Sequence, residues 1–331
     1  PPSITTIANQ TTAEDTATGA ITFKIGDVET AAGSLTVTAT SNDQTVIPNA
    51  NITLGGSGTN RTINILPATN QNGGPATITV TVDDGTTTSQ TTFDVAVTAV
   101  NDAPTITSDG GGATAAVNVA ENSTAVTTVT SNDIDGGTAS YSITGGADAA
   151  KFSIDGLSGA LTFAVAPDFE SPTDTGGDNV YDVVVQVSDG TLTDTQSIAV
   201  TVTAVNDNTP VITSDGGGAT ASVNVAENST SVTTVTATDA DLPGQTLSYS
   251  ITGGADAAKF SIDGSSGALT FAVAPNRESL TDSDTNNVYE VTVQVSDGTL
   301  TDTQSIEVTI NDLDEFDVTS PADSDGAANA V

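Results

Sequence analysis

The sequence predicts an all-β chain, a tandem array of two-sheet β-sandwiches. Three observations carry that expectation. Val and Thr dominate short runs in which apolar and polar residues alternate, which is the period of a half-buried strand, and no long stretch has helical periodicity. About seven such runs fall within roughly 100 residues, the density of a sandwich. One block then returns almost letter for letter, 142–156 as 250–264 and 187–194 as 295–302. Such repetition marks a linear array of one module.

The elements follow in order. Residues 1–102 form a first, divergent unit, with strands expected at 35–39, 78–82 and 93–97. Gly55-Gly56-Ser57-Gly58 and Gln71-Asn72-Gly73-Gly74-Pro75 read as turns. Asp83-Asp84-Gly85 reads as a hairpin before the last strand. Residues 103–207 form the second unit, with strands expected at 115–119, 126–130, 139–144, 152–154, 161–165, 181–187 and 198–202. Tyr181, Val183, Val185 and Val187 share one face of their strand, and Ile198, Val200 and Val202 share one face of theirs. Residues 208–312 are a near copy of the second unit. Residues 313–331 start a further, truncated repeat, too polar and small to order alone.

The units meet at Ala204-Val205-Asn206-Asp207-Asn208-Thr209-Pro210, with counterparts at Ala99-Val100-Asn101-Asp102-Ala103-Pro104 and Ile310-Asn311-Asp312-Leu313. Asn and Asp favour turns and Pro cannot join a central ladder, so each reads as a hinge. Each hinge can also supply oxygen ligands to a metal.

Composition narrows the partners. The chain has 5 Lys+Arg against 42 Asp+Glu, a formal charge of −37, which excludes nucleic acid and anionic membrane surfaces as natural partners. Cys, His, Met and Trp are absent, so disulfides and thiolate or imidazole metal sites are excluded. Any metal must be held by oxygen, which points to a hard cation such as calcium. No signal peptide or bilayer-spanning run is evident, so direct membrane insertion is not expected. The opening Pro1-Pro2-Ser3-Ile4 matches Ala103-Pro104-Thr105-Ile106, and the chain reads as a segment of a longer protein.

Carboxylates recur at fixed places. An early acid is Glu14, Glu121 or Glu227. An acid pair follows as Asp27 and Glu29, Asp133 and Asp135, or Asp239 and Asp241. Before the final hairpin turn stands Asp84, Asp189 or Asp297. Asp168-Phe169-Glu170 is matched by Asn276-Arg277-Glu278. Solvated loop charge is the plain explanation. Clustered like charge without a counter-ion costs stability, however, and calcium takes about 6–8 oxygens, often from carboxylates.

These residues resemble the cadherin repeat in its bacterial surface-protein form. The resemblance rests on Glu121-Asn122 and Glu227-Asn228, on Asp239-Ala240-Asp241, and on the Phe-x-Ile-Asp-x-x-x-Gly blocks at 152–159 and 260–267. The Asp168-Phe169-Glu170 motif and the Asn206-Asp207-Asn208 linker complete it. It covers residues 103–312, and residues 1–102 look like a related repeat with fewer motifs. It implies Greek-key, immunoglobulin-like sandwiches and calcium between successive domains. It also implies a stiff extracellular adhesin or fibre on a bacterial cell surface. By the family pattern the second junction collects Glu121, Asp168, Glu170, Asp207, Asp239, Asp241 and Asp297. Asn206 adds its side chain, and Val205 and Asn208 add carbonyls. The first junction offers Glu14, Asn101, Asp102 and Ala103 against Asp133, Asp135 and Asp189. Glu227, Glu278, Asn311 and Asp312 close the third unit, while Asp27, Glu29 and Asp84 face whatever precedes the first.

Departures qualify the match. Ala99 and Ala204 stand where the family linker begins with Asp, and Leu66-Pro67-Ala68-Thr69 stands where the first unit lacks an Asp-x-Glu. Asn276 replaces Asp168, and the strand-swap tryptophan of vertebrate cadherins has no counterpart. The first junction is therefore expected to hold fewer ions.

Rival functions remain open at this point. A module recognising glycan or a partner subunit is one, although 4% aromatic residues make a poor sugar-stacking platform. Tyr141, Tyr181, Tyr249 and Tyr289 read as strand packing. A self-assembling fibre of like chains, or binding to cell-surface ligands, is another. Catalysis is not expected, because the acid pairs recur in every unit and His and Cys are missing. Lys–Asn links at Lys24, Lys151 or Lys259 are less natural than surface lysines, two of them beside Phe152 and Phe260.

Overall fold

The computed structural model describes residues 1–314. Among them every regular element is a β-strand or a three-residue 3-10 turn, and the fold is a tandem of β-sandwiches. In the first repeat one sheet runs Gln10–Ala13, Thr88–Thr98, Gly73–Asp83, Thr36–Ser41. The other runs Ser3–Ile4, Ile21–Gly26, Asn60–Ile65, Ile52–Ser57. Their alternation buries one face of each: Phe23, Ile63 and Ile65 from one sheet meet Ile78, Val80, Val82 and Val95 from the other. Each such side chain contributes about 1.5–3 kcal/mol by leaving water.

The second and third repeats share one order. Thr114–Ala120, Thr193–Thr203, Val180–Ser188 and Ser140–Gly145 correspond to Thr220–Ala226, Thr301–Asn311, Val288–Ser296 and Ser248–Gly253. The opposing three strands are Ala125–Thr128, Ala160–Phe163 and Phe152–Ile154, then Ser231–Thr234, Ala268–Phe271 and Phe260–Ile262. The leading strand of each repeat forms a short separate ladder, Thr105–Ile106 with Ser131–Asn132 and Val211–Ile212 with Ala237–Thr238. Tyr181, Val183, Val185, Val187, Ile198, Val200 and Val202 are all buried, as their shared faces require. Phe152 stacks on Phe163 at 4.6 Å, and Tyr181 meets Phe163 edge-on at 5.1 Å, so Tyr181 is a core residue.

Some expectations need correction. Gly55 and Gly56 belong to the strand Ile52–Ser57 and not to a turn, which shortens to Gly58 and Thr59. A Cβ on Gly56 would come within 2.4 Å of the Asn60 carbonyl oxygen, so only glycine admits this cross-strand approach. Gly73-Gly74-Pro75 likewise opens the strand Gly73–Asp83, with Pro75 in a register break between Gly73 and Ala76 where its missing N–H costs no ladder bond. The run 161–165 ends as a strand at Phe163, leaving Val165 exposed. The run 126–130 stops at Thr128. Five strands of the first repeat, Ser3–Ile4, Gln10–Ala13, Ile21–Gly26, Ile52–Ser57 and Asn60–Ile65, were not assigned from the sequence. The truncated fourth repeat lies, from residue 315 on, outside the described residues.

One pairing positions the acids. The first long strand of each repeat runs parallel to the last, with Ala13 opposite Thr98, Ala120 opposite Thr203 and Ala226 opposite Asn311. The next residue continues the ladder: Glu14, Glu121 and Glu227 donate their N–H groups to the carbonyls of Thr98, Thr203 and Asn311, each at 3.0 Å. Each early Glu is thereby fixed beside the linker that leaves its repeat.

The chain packs as two compact units. One joins Pro1–Gly112 to Val129–Ser142 and Gln186–Thr195 of the second repeat. The other joins Ala113–Thr128, Ile143–Val185 and, among the described residues, 196–314. The first linker thus lies wholly in one unit and the second linker wholly in the other.

Candidate metal centres

At the second linker the acids are assembled by backbone hydrogen bonds. Glu121 is 3% exposed, and its two oxygens accept the N–H of Val205 at 2.7 Å and of Phe169 at 2.6 Å. This draws the Asp168–Glu170 loop against the linker. Glu170 in turn accepts the N–H of Leu242 at 3.0 Å, across the repeat boundary. Asp241, 2% exposed, accepts the N–H of Asn208 at 3.1 Å and its side-chain amide at 2.8 Å. The Asx-type turns Asp168 to Glu170 and Asp239 to Asp241 hold the paired acids one residue apart.

Three overlapping carboxylate clusters result. In each, the ligand atoms lie within 4.8 Å of one another: Glu121, Asp168 and Glu170; Glu170, Asp207 and Asp241; Asp239, Asp241 and Asp297. All seven acids expected at this junction are among them. One end of the Asn206 amide lies 3.2 Å from Oδ2 of both Asp241 and Asp297, and its other end is 2.8 Å from Gln245 Oε1. Burial pushes the Asp297 carboxyl up, but the N–H groups of Thr299 and Leu300 with the Asn206 amide outweigh it and hold it below the usual range. Asp297 therefore remains charged.

The donor set fits a hard divalent cation. None of these seven carboxylates is ion-paired with Lys or Arg among the described residues. Asp239 Oδ2 is shut off from solvent without a hydrogen-bond donor. The buried Asp148, by contrast, gives one oxygen to Thr175 N–H at 2.7 Å and the other to Asp182 N–H at 2.9 Å. Clustered carboxylate and amide oxygens are the donors calcium takes.

The first linker is built differently. Glu14 Oε1 accepts Val100 N–H at 2.7 Å and the Asn72 amide at 3.4 Å, and its Oε2 is enclosed without a donor. Asp135 accepts Asp102 N–H at 2.6 Å, and Asp189 accepts the Asn101 amide at 2.7 Å. Burial, then the charges of Asp135, Glu14, Asp15 and Asp133, push the Asp102 carboxyl up. The N–H of Leu192 and the Asn101 amide hold Asp189 below the usual range. Ala103 is exposed. Glu14, Asp102, Asp133, Asp135 and Asp189 take no part in the tight clusters.

The remaining acids divide. Glu227, Glu278 and Asp312 form a fourth cluster within 4.8 Å, with the Arg277 guanidinium 3.1 Å from Asp312. Asn311 ends the last strand and gives its carbonyl to Glu227 N–H. Asp27, Glu29 and Asp84 join no cluster. Asp27 and Asp84 are held below the usual carboxylate range by donors in their own turns, the N–H groups of Thr30 and Glu29 for Asp27, and the Thr86 hydroxyl followed by the N–H groups of Thr87 and Thr86 for Asp84.

Two residues were missed. Asp15 stands where the later repeats have Asn122 and Asn228, and all three share a left-handed backbone with φ of 56°, 61° and 61°. Aligning Glu14-Asp15 with Glu121-Asn122 would have found it. Gln245 follows Asp241 by four residues and donates to Asp241 Oδ2 at 3.0 Å. The loop there is longer than in the second repeat, and no motif marked it.

Comparison with known proteins agrees with this architecture. Residues 221–311 match the family model described as the cadherin domain. The chain is 32% identical to human Protocadherin Fat 1 over 185 residues, covering 53% of this chain and 4% of that protein. It is 31% identical to mouse Protocadherin Fat 4 over 199 residues, covering 59% and 4%. The chain thus spans a small fraction of these relatives' length. Among solved structures, protocadherin gammaB7 EC3-6 aligns with TM-score 0.62 and 24% identity over 93% of this chain and 75% of that one. The extracellular cadherin domains 3–6 of protocadherin gamma B2 align with TM-score 0.62 and 22% identity, over 95% and 76%. Residues 221–311 therefore resemble a cadherin domain, and the fold of the described residues is that of cadherin ectodomain repeats.

Proposed function

We propose that the chain is a calcium-binding, calcium-stiffened segment of a larger extracellular protein, built of three domains at 1–102, 103–207 and 208–312, that works in adhesion. The carrying observation is the convergence of seven carboxylates about residues 204–208, none ion-paired with Lys or Arg among the described residues, with an enclosed, donor-free oxygen on Asp239. Glu121, Asp168, Glu170 and Asp207 come from one repeat and Asp239, Asp241 and Asp297 from the next. A cation shared by both sets ties the repeats together. Without one, like charges at these distances repel and the Asx linker is a hinge. Calcium supplies the positive charge; the chain supplies rigid, deprotonated oxygens held by N–H donors. The setting, the exterior of a bacterial cell, rests on the sequence motifs alone, since the relatives named above are human and mouse proteins. Association of like chains belongs to the same proposal and is supported by the cis-dimer of the protocadherin gammaB7 structure.

The test is solution scattering with calcium and with chelator, with circular dichroism as the control. The expected result is a more extended, less variable particle with calcium and an unchanged β signal. Coincident scattering profiles would leave a flexible string of sandwiches as the better account.

A further inference from the structure

We infer that Asn72-Gly73 is a self-modifying site, at which the Gly73 nitrogen turns the Asn72 amide into a carboxylate and so gives the first linker a further calcium ligand. The calcium part rests on the function proposed above; the conversion does not. Asn72 is the chain's one asparagine followed by glycine. It is exposed and precedes the strand Gly73–Asp83, and Gly73 and Gly74 are exposed too. The ladder with Thr88–Thr98 is interrupted directly after Gly73, between Gly73 and Ala76. Gly73 has φ of 126° and nothing within 4 Å of the place a Cβ would occupy, so no group crowds that side of it.

The step needs only water. The Gly73 nitrogen bonds to Cγ of Asn72 and gives up its proton, the Cγ–Nδ2 bond breaks, and the side-chain nitrogen leaves with that proton as ammonia. Water then adds to the cyclic imide. Opening the imide at the Cγ–nitrogen bond gives aspartate; opening it at the backbone carbonyl gives isoaspartate, with the chain running through Cγ. Either way a neutral amide becomes a carboxylate. A residue with a Cβ after the asparagine crowds the attacking nitrogen, so the exposed Asn122-Ser123 and Asn228-Ser229 pairs should convert more slowly.

The position carries the consequence. The Asn72 amide reaches Glu14 Oε1 at 3.4 Å, and the same loop is tied to the next residue by Asn70 N–H, which donates to Asp15 Oδ1 at 3.1 Å. Glu14 also accepts the N–H of Val100 in the linker, and its Oε2 is enclosed without a donor. In the second repeat the loop facing the equivalent Glu121 carries Asp168 and Glu170, which complete a tight cluster. In the first the loop carries Asn70 and Asn72, amides in place of acids. Conversion therefore takes a donor from Glu14 and puts a carboxylate beside it. Without a cation the two repel; with calcium both are ligands. A freshly made chain has the weaker first linker and an aged one the stronger.

The test is peptide mass mapping of the full chain held in warm, mildly alkaline buffer, with fragmentation that separates aspartate from isoaspartate. The peptide holding Asn72-Gly73 is expected to gain the acid first, well ahead of Asn122-Ser123 and Asn228-Ser229. Conversion no faster there than at those two pairs would overturn the inference. Calcium titrations followed by the amide signals of Asn101 and Asp102 test the consequence. Asn72→Asp should bind calcium at the first linker about tenfold more tightly than the freshly made chain, by one added carboxylate. Asn72→Gln, which keeps an amide on a longer arm, should not tighten on ageing. Unchanged or weaker binding by Asn72→Asp, with Asn208 and Leu242 still reporting calcium at the second linker, would overturn the added ligand and leave the proposed function standing. No calcium response at either linker would overturn that function and the added ligand together, and leave the conversion to the mass map.

Discussion

The two linkers begin with the same four residues, Ala-Val-Asn-Asp at 99–102 and at 204–207, yet they gather different sites. At the second, seven acids fall into three tight clusters. At the first, Asp135 accepts Asp102 N–H, Asp189 the Asn101 amide and Glu14 the Asn72 amide, Glu14 Oε2 and Asp102 Oδ2 stay enclosed without a donor, and the acids join no tight cluster. The difference lies in the loop each linker packs against. Asp168-Phe169-Glu170 brings two carboxylates and a backbone N–H to Glu121, whereas the first repeat brings Asn72, a neutral donor, to Glu14. The same linker motif does not by itself gather a tight cluster; the loop facing it supplies the further carboxylates.

The largest expected effect is at Asp241, which belongs to two clusters and is almost fully buried. Asp241→Ala should lower the affinity of the tightest calcium sites about 100-fold or more, since carboxylate count sets affinity in oxygen sites. The equivalent Asp135→Ala at the first linker should cost only a few-fold. Titration calorimetry of both variants decides; equal losses would mean that the two linkers are equivalent. A second expectation concerns order of release. As free calcium is buffered downward, amide signals of Asn101 and Asp102 should shift before those of Asn208 and Leu242. Simultaneous shifts would contradict two grades of site.

Asp15 offers a smaller and more local effect. Its left-handed backbone is one that Asn adopts readily, so Asp15→Asn removes a charge without straining the turn. The variant should fold normally and bind calcium a few-fold more weakly at the first linker alone. A change at the second linker would show that the linkers are coupled.

Much of this was legible in the sequence. Alternation gave the buried faces of Val180–Ser188 and Thr193–Thr203, because a period of two has one structural meaning. The near-identical repeats made the acid positions visible as a set. What escaped was set by contacts distant in sequence. Gly55 and Gly56 look like a turn because glycine usually marks one, but here glycine is needed by the strand opposite. Asp15 was hidden by the change from Asn to Asp, since the shared property is the backbone and not the side chain. Gln245 reaches Asp241 only through a loop insertion that no spacing rule covers. The Asn72 amide that meets Glu14 at the first linker comes from 58 residues away.

The smallest effect serves to separate linkers from repeats. Asp155 and Asp263 sit in equivalent turns of the second and third repeats, away from both linkers. Each accepts backbone N–H groups, from Leu157 and Ser158 or from Ser265 and Ser266, and a serine hydroxyl at 2.8 Å. These donors, Ser158 N–H and Ser266 N–H foremost, hold both carboxyls below the ordinary range. A depressed folded-state pKa gives stability that is fully present above the unfolded value of about 3.9 and lost as pH falls through the folded value. Asp263→Asn should therefore cause a small drop in unfolding midpoint at neutral pH. The difference from the natural chain should shrink as pH falls below about 4, because the natural carboxyl is then being neutralised too. It should be the same in calcium and in chelator, and Asp155→Asn should match it. A drop that appears only with calcium would mean that these turns report on the linkers, and the contrast between the two linkers would then have to be sought within the repeats themselves.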